Sequence, residues 1–351
     1  RLAGGNINIQ APVELPQESP ELPSPTPAPA PAPTSVAVSG TVLRSDSEEG
    51  DGGKIEVTAD QLELAAQNSV TADGSSAGGS IKLGGGLQGA DSTIANAEQT
   101  LVSAATQISA SALENGHGGQ IIVWADGLAV YEGHIDAKAG ELGGNGGFVE
   151  VSGKRQLRFL GTGDTSALLG DAGMLLLDPY NLTISTAADA NLSGSYDASG
   201  DDSVLSVSTL QTALASSNVT VTTGSAGTQA GNITIADSIS WGSANTLELD
   251  ANRCVALAAG KRVSSYDGGL IIDAANGGIT QGLNSQFRVG GAVQLGASTD
   301  IVLDSISNEF SGPVSVSRAA NITLVNSEEL QLGNISATGF VDFKTAVDSN
   351  A

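Results

Sequence analysis

A glycine turn followed by a short alternating strand recurs along the chain, and this repeat constrains the fold more than any other feature. GGNINIQ starts at Gly4, GGKIEVTA at Gly52, GGSIKLGG at Gly78, GGQIIVWA at Gly118, GGFVEVSG at Gly146, GNITIAD at Gly231, GGLIIDA at Gly268 and GGAVQLG at Gly290. Alternate residues in each unit are apolar, the two-residue period of a strand with one buried face. In the last third the spacing becomes regular, with Gly268, Gly290 and Gly312 each 22 residues apart. A second strand series, Val255, Ile279, Ile301 and Ile322, keeps step at intervals of 24, 22 and 21. Two series sharing one period indicate coils. The expected fold is all-β, a parallel β-helix (β-solenoid) in which each coil lies about 4.8 Å along one axis from the last. At about 22 residues per coil, the chain outside its proline-rich part predicts about 13 or 14 coils and a rod of roughly 65 Å. Tyr266, Phe287 and Phe310, spaced by 21 and 23 residues just before Gly turns, predict an aromatic ladder.

Nine of the eleven prolines lie between Pro12 and Pro33. Their fixed φ and missing amide donors favour an extended polyproline II segment. Residues 11–37 therefore read as a semi-rigid linker or looped-out insertion. Units of one form flank it, so it interrupts a single architecture: residues 1–10 supply a coil strand, 38–186 a β-helix, 187–217 a loop excursion and 218–351 the repeats of about 22 residues. A βαβ arrangement would need helical crossovers, and helical signals are too few. The best is SVSTLQTALASS, where Ser208 and Gln211 have capping-box spacing and Leu210, Ala213 and Leu214 share a face. It predicts one short helix, about Thr209 to Ala215, on the excursion. Ala188 to Asp202, with Asp189, Asp197 and Asp201, reads as a surface loop.

Composition narrows the function classes. Lys and Arg total 14 against 38 Asp and Glu, a formal charge of −24 that repels phosphate backbones and anionic membranes. Nucleic acid is excluded as an expected partner. With 46 glycines and 3% aromatics, the core must be built from Val, Ile, Leu and Ala, unlike that of an ordinary globular enzyme. One cysteine, Cys254, forbids an intrachain disulfide, and with only His117 and His134 beside it no zinc cage is expected. The Cys254 thiol is expected to point outward, since its neighbours Val255 and Leu257 point in. Apolar runs such as Met174 to Leu177 are far below the roughly 18 residues that span a bilayer, so no transmembrane segment is expected. Arg1 opens no signal-peptide pattern and there is no initiator Met, so the chain reads as a piece of something larger.

Few residues are candidates for chemistry. Trp124 and Asp126 in WADG, with Tyr131, Glu132 and His134 close behind, gather aromatic, carboxylate and imidazole groups. An aromatic beside carboxylates could stack on a sugar ring and bond its hydroxyls, making these five the candidate ligand contacts. The local pattern favours the competing reading, an Asp-Gly corner with rings packed on the coil edge. Catalysis by a β-helix lyase or hydrolase needs carboxylates held together across coils. Adjacent pairs such as Asp201 and Asp202, or Glu328 and Glu329, send their side chains to opposite faces of a strand. The densest basic run, Lys154, Arg155 and Arg158, has Asp164 and Asp171 nearby and is the one lyase-like arrangement to test. No G-x-S-x-G elbow and no phosphate-loop lysine occur, so no enzyme and no nucleotide are expected. The nonapeptide calcium repeat is never intact, since GGNGGFVEV comes closest and has no aspartate at the position the repeat requires. No cofactor is expected beyond incidental calcium on an acidic surface.

The stretch Asn115 to Ser185, with its W-A-D-G, G-G-F-V-E-V-S-G-K and L-L-L-D-P elements, resembles a recurrent block of bacterial filamentous-haemagglutinin-like exoproteins, the secreted partners of two-partner secretion systems. Ala213 to Ala251 and Ile306 to Ser336 resemble the rod repeats that follow that block, and Gly52 to Gly89 extends the similarity. The resemblance implies a right-handed parallel β-helical rod, exported through an outer-membrane transporter and displayed or released extracellularly as an adhesin. No N-P-N-G-type secretion signature is found, so the transporter would engage a domain outside this chain. The expected role is structural and adhesive, with cell-surface glycans or matrix as partner; the alternative is a passive spacer, and less so a lyase or hydrolase. No binding residue is carried over.

Overall fold

The computed structural model describes residues 6–10, 34–187, 192–193, 197–198, 202–224 and 229–345. Twelve parallel strands form one wall, running in chain order from Asn6–Gln10 through Lys54–Thr58, Ser80–Leu83, Gln120–Ala125, Phe148–Gly153, Met174–Leu177, Asn218–Thr223 and Leu247–Ala251 to Leu332–Ile335. A second wall has five strands between Ser35–Ser39 and Gln156–Phe159, then eight more reaching Val341–Thr345. The third has five, from Val42–Arg44 to Thr162–Asp164, and resumes with four, from Ile239–Trp241 to Glu309–Phe310. Three walls of parallel strands around one axis are a β-helix. Among the described residues the first wall has twelve strands and the second thirteen, against the expected 13 or 14 coils. Leu247 and Leu270 pair at a spacing of 23, but Ser80 pairs with Gln120 and Met174 with Asn218, because two coils carry long insertions.

The repeated units stack as the period requires. Ile7, Ile55, Ile81, Ile121 and Val149 stand in one inward column, and Ile9, Val57, Leu83, Val123 and Val151 in the next. Asn6–Gln10 thus pairs directly with Lys54–Thr58, across the proline segment. Residues 11–33 of that segment lie outside the described residues, and its expected end at residue 37 is too late. Ser35–Ser39 is already a strand on Gln61–Ala65, aligning Val36 and Val38 with Leu62 and Leu64. In the second series Val255, Ile279, Ile301 and Ile322 are mutual register partners.

The aromatic ladder has two rungs, not three. Phe287 and Phe310 are buried and stack with centroids 6.3 Å apart, whereas Tyr266 is 79% exposed. Tyr266 lies beyond the strand Arg262–Ser265, and Val263 is the residue in register with Phe287.

The helix spans Val207–Leu214, starting two residues earlier than the pattern predicts. Ser208 is therefore inside the helix, and the Gln211 side chain accepts a bond from the Ser240 amide at 3.0 Å instead of closing a capping box. Its apolar face, Val207, Leu210, Ala213 and Leu214, is buried in the common core. The helix packs against both Thr162–Asp164 and Ile239–Trp241, filling the gap in the third wall. Just before it, Asp202–Ser206 pairs with Asn181–Ser185, and Ser203 Oγ accepts the Leu157 amide at 2.9 Å. The return limb of the expected loop excursion is therefore wall and core. The described part of the outward limb is the antiparallel pair Leu192–Ser193 and Asp197–Ala198; Asp189 and Asp201 lie outside the described residues.

Buried asparagines hold turns that no ladder bond reaches. Asn308 is fully buried; its Oδ1 accepts the Phe287 amide at 2.9 Å, and its Nδ2 donates to Gln281 Oε1 at 2.7 Å and to the Leu303 carbonyl at 3.2 Å. Asn308→Ala strands a buried amide, so a loss of about 2 kcal/mol is expected by urea unfolding; an unchanged midpoint would show that the turn satisfies itself.

Candidate functional site

The five candidate ligand contacts do not form one site. Trp124 stands on the outer side of the first wall yet is only 2% exposed. Asp126 lies beside it at the corner, where its Oδ1 accepts the indole Nε1–H at 3.1 Å. Tyr131 points into the core of the second wall, fully buried, with its ring stacked on Phe159 at 5.7 Å. Burial against Phe159 and near Asp136 pushes its phenol pKa well up. Glu132 is half-buried at the next corner and His134 faces outward on the third wall. The aromatic rings are therefore not offered to solvent, as the turn-and-packing reading expects.

His134 belongs instead to a polar row across two coils. Its Nδ1 lies 2.6 Å from Thr162 Oγ1, and its Nε2 lies 3.1 Å from Asp136 Oδ1. Lys138 bridges Asp136 at 3.1 Å and Asp164 at 3.2 Å. Burial opposes the Lys138 charge, but the two carboxylates outweigh it and hold its pKa above the ordinary value. Burial works against ionised Asp164 too, and bonds from Ser166 together with Lys138 still keep it low. Asp73, one column away, is raised by burial, with bonds from Ser109 and Ser111 opposing and Asp46 and Asp136 adding to the rise.

A hydroxyl, an imidazole and a carboxylate in line is the order of an acyl-transfer relay. Such chemistry also needs donors for the oxyanion. Here the Thr162 amide donates to the Gly133 carbonyl and the His134 amide to that of Thr106, both committed to the ladder. The row is a salt-linked seam between coils. The spacing of His134, Asp136 and Lys138 on alternate residues was legible as a shared strand face. Thr162 was not, because only register brings it there.

The lyase-like basic run is spread over different faces. Arg155 pairs with Glu98, Arg158 faces outward on the second wall, Asp164 stands on the third, and Lys154 acts on Asp178 at the edge of the first. Among the described residues no group of three or more His, Cys, Asp or Glu is placed to hold a metal ion. Cys254 is half-exposed.

The outer face of the first wall carries two strongly raised carboxyls. Glu150 is fully buried, and burial pushes it up to about 7; bonds from the Gln88 amide and Ser152 hydroxyl oppose the rise, and Asp178 adds to it. Asp178 is itself pushed up to about 6 by burial, against a bond from the Gly224 amide, with Asp250 raising and Lys154 lowering it. Further along, Glu248, Asp250, Asp273, Gln294 and Ser317 line a shallow cleft of about 150 Å³. A longer open trough, about 620 Å³, runs along the axis over Gly78, Gly118, Gly146 and Gly173, flanked by Phe148 and Met174.

Comparison with known proteins adds one match. A family described as repeats of unknown function (DUF5649) matches residues 244–317, the coils with the most regular spacing. No curated protein matches the chain. Among the described residues no helix is long and apolar enough to cross a membrane.

Proposed function

We propose that this chain is a structural and adhesive rod segment of a large secreted bacterial surface protein of the filamentous-haemagglutinin-like kind, binding cell-surface glycans or matrix. The rod itself supports a role in extension: a β-helix adds about 4.8 Å per coil and needs no further domain to hold its shape. A net charge of −24 opposes side-by-side association of such rods.

One observation favours contact over passive spacing. Leu113, Leu142, Leu168 and Leu169 are 53%, 74%, 77% and 68% exposed, all at the corner where the third wall turns into the first. The Leu142 amide donates to the Glu114 carbonyl at 2.8 Å, so these turns stack along the rod. An apolar edge repeated in successive coils on an acidic surface supports a reading as an interaction site.

The test is binding of the chain to arrays of glycans, matrix proteins and whole cells, with and without calcium. Saturable binding without product release is expected, weakened at least about tenfold when Leu142 and Leu168 are both replaced by Ser, a loss of about 1.4 kcal/mol. Absence of binding on every surface would leave the segment a spacer. Trace depolymerisation of an acidic glycan, abolished by Lys154→Ala, would make it an enzyme.

A further inference from the structure

Between Ser80–Leu83 and Gln99–Val102 the chain leaves the walls as a strap, Gly84 to Glu98. The Ala97 amide donates to the Gly84 carbonyl at 2.7 Å and closes its base. Lys82 holds Asp91 at 3.0 Å, Arg155 pairs with Glu98, and Asn96 Nδ2 bonds the Gly89 carbonyl at 2.9 Å. The tip, Leu87–Gly89, lies over the outer side of the first wall. Ile122, Trp124, Glu150 and Ser152 occupy outward strand positions there, yet all are buried. The indole fits so closely that a Cβ on Gly85 or Gly89 would come within 2.7 or 2.5 Å of it.

The tip is fastened by the Gln88 amide, which donates to the Glu150 carboxyl at 3.0 and 3.2 Å. Ser152 Oγ donates to the same group at 2.9 Å. Among the described residues no cation pairs with Glu150, and Gln88 sits at φ 51, a region unfavourable for a residue with a Cβ. A fully buried carboxyl is thus the anchor of a locally strained tip.

We propose that the strap tip is a gate: it stays closed over Trp124 while Glu150 is neutral and opens when Glu150 ionises, uncovering a platform for the face of a sugar ring. The platform half rests on the adhesive reading above; the gate does not. Burial raises Glu150 from its ordinary 4.5 to about 7. A carboxyl raised by docking favours the docked state fully below its free value, and that preference is lost as pH rises through the raised one. The gate therefore closes in acid and opens in mild alkali. The charged groups around it act in the same direction or are already paired. Asp178, from the next coil, ionises near 6 and lies under the influence of Asp250 and Lys154. On the strap, Asp91 and Glu98 are held by Lys82 and Arg155, and Asp126 accepts from Trp124 and, at 3.3 Å, from Asn96. With Asp126 and ionised Glu150 beside the indole, the platform suits neutral or basic sugars and repels acidic ones.

The test uses the whole chain carrying Trp241→Phe, which leaves Trp124 as its single tryptophan. Acrylamide quenching of Trp124 is expected to rise at least threefold between pH 5.5 and 8.5, with the rise complete once the pH has passed about 7. Glu150→Gln keeps the anchor neutral and is expected to stay quenching-resistant throughout; Asp178→Asn moves the midpoint to lower pH. The protection factor of the Gln88 amide against hydrogen exchange reads the same opening without any substitution at Trp241. No rise, or an equal rise in Glu150→Gln, overturns the gate. Binding to neutral glycans at pH 8.5, absent at 5.5 and lost in Trp124→Leu, supports the platform. A gate that opens without any sugar binding overturns the platform, and binding at both pH values that ignores Trp124 overturns it while leaving the adhesive reading in place.

Discussion

Gly146→Ala is expected to prevent the central coils from closing. A Cβ at this position would lie 1.7 Å from the Thr165 carbonyl oxygen and 2.3 Å from the Gly173 amide nitrogen. Both are backbone atoms of ladder-bonded chain, so no flexible side chain can give way. The same corner in earlier coils is equally tight, with a Cβ on Gly118 at 2.1 Å from the Ala137 oxygen and one on Gly78 at 2.0 Å from that of Ala110. Relief requires pulling a wall strand off its neighbour, which places the loss at about 4 kcal/mol or more. Because each coil is stabilised by its neighbours, the damage spreads along the rod. Circular dichroism and urea unfolding report it directly, and a midpoint like that of the unsubstituted chain would show that the corner has room. Gly242, with no atom within 4 Å of its would-be Cβ, is the control; Gly242→Ala should change stability by less than about 0.5 kcal/mol.

Leu210→Asp is the second large effect, and it differs in kind. Leu210 is 1% exposed on the helix that fills the break in the third wall. Helical backbone cannot extend a strand ladder, so apolar packing and a few side-chain bonds, such as Ser216 Oγ to the Gly163 carbonyl and the Ser240 amide to Gln211, join Thr162–Asp164 to Ile239–Trp241 on that side. A buried carboxylate without a partner is expected to remove about 4 kcal/mol. The first and second walls still cross the junction through Met174–Leu177, Asn218–Thr223 and Asn181–Ser185. Unfolding is therefore expected to split, the coils before residue 180 and those after 218 melting at different urea concentrations. A single transition at the original midpoint would show that the helix covers the core without coupling the two halves.

The inward columns were legible because they repeat. Ile55, Ile81 and Ile121 each follow the same glycine turn, and alternation alone says which way they point. The regular period failed where coils carry insertions; Tyr266 was misassigned for a local reason, since it falls just past the strand whose Val263 pairs with Phe287. The return limb was misread for a related reason: Asp202–Ser206 joins the second wall beside an earlier strand, out of chain order, and no local pattern records such a step.

For the candidate site the sequence supplied residue types without neighbours. Trp124 and Asp126 do meet, being two residues apart across an Asp-Gly corner. Glu150 drew no attention, since a Glu on an alternating strand reads as an ordinary solvated residue. Its burial comes from a strap inserted 62 residues from it in sequence.

Sequence alone determined that the chain is a stack of parallel coils, because turn glycines and two-residue alternation act over a few bonds and repeat. Tertiary structure alone decided which outward residues remain outward. The strap covers Trp124 and Glu150, the core takes Tyr131, and register sets His134 against Thr162; each depends on chain segments meeting across coils, which the energetics of no single segment can specify.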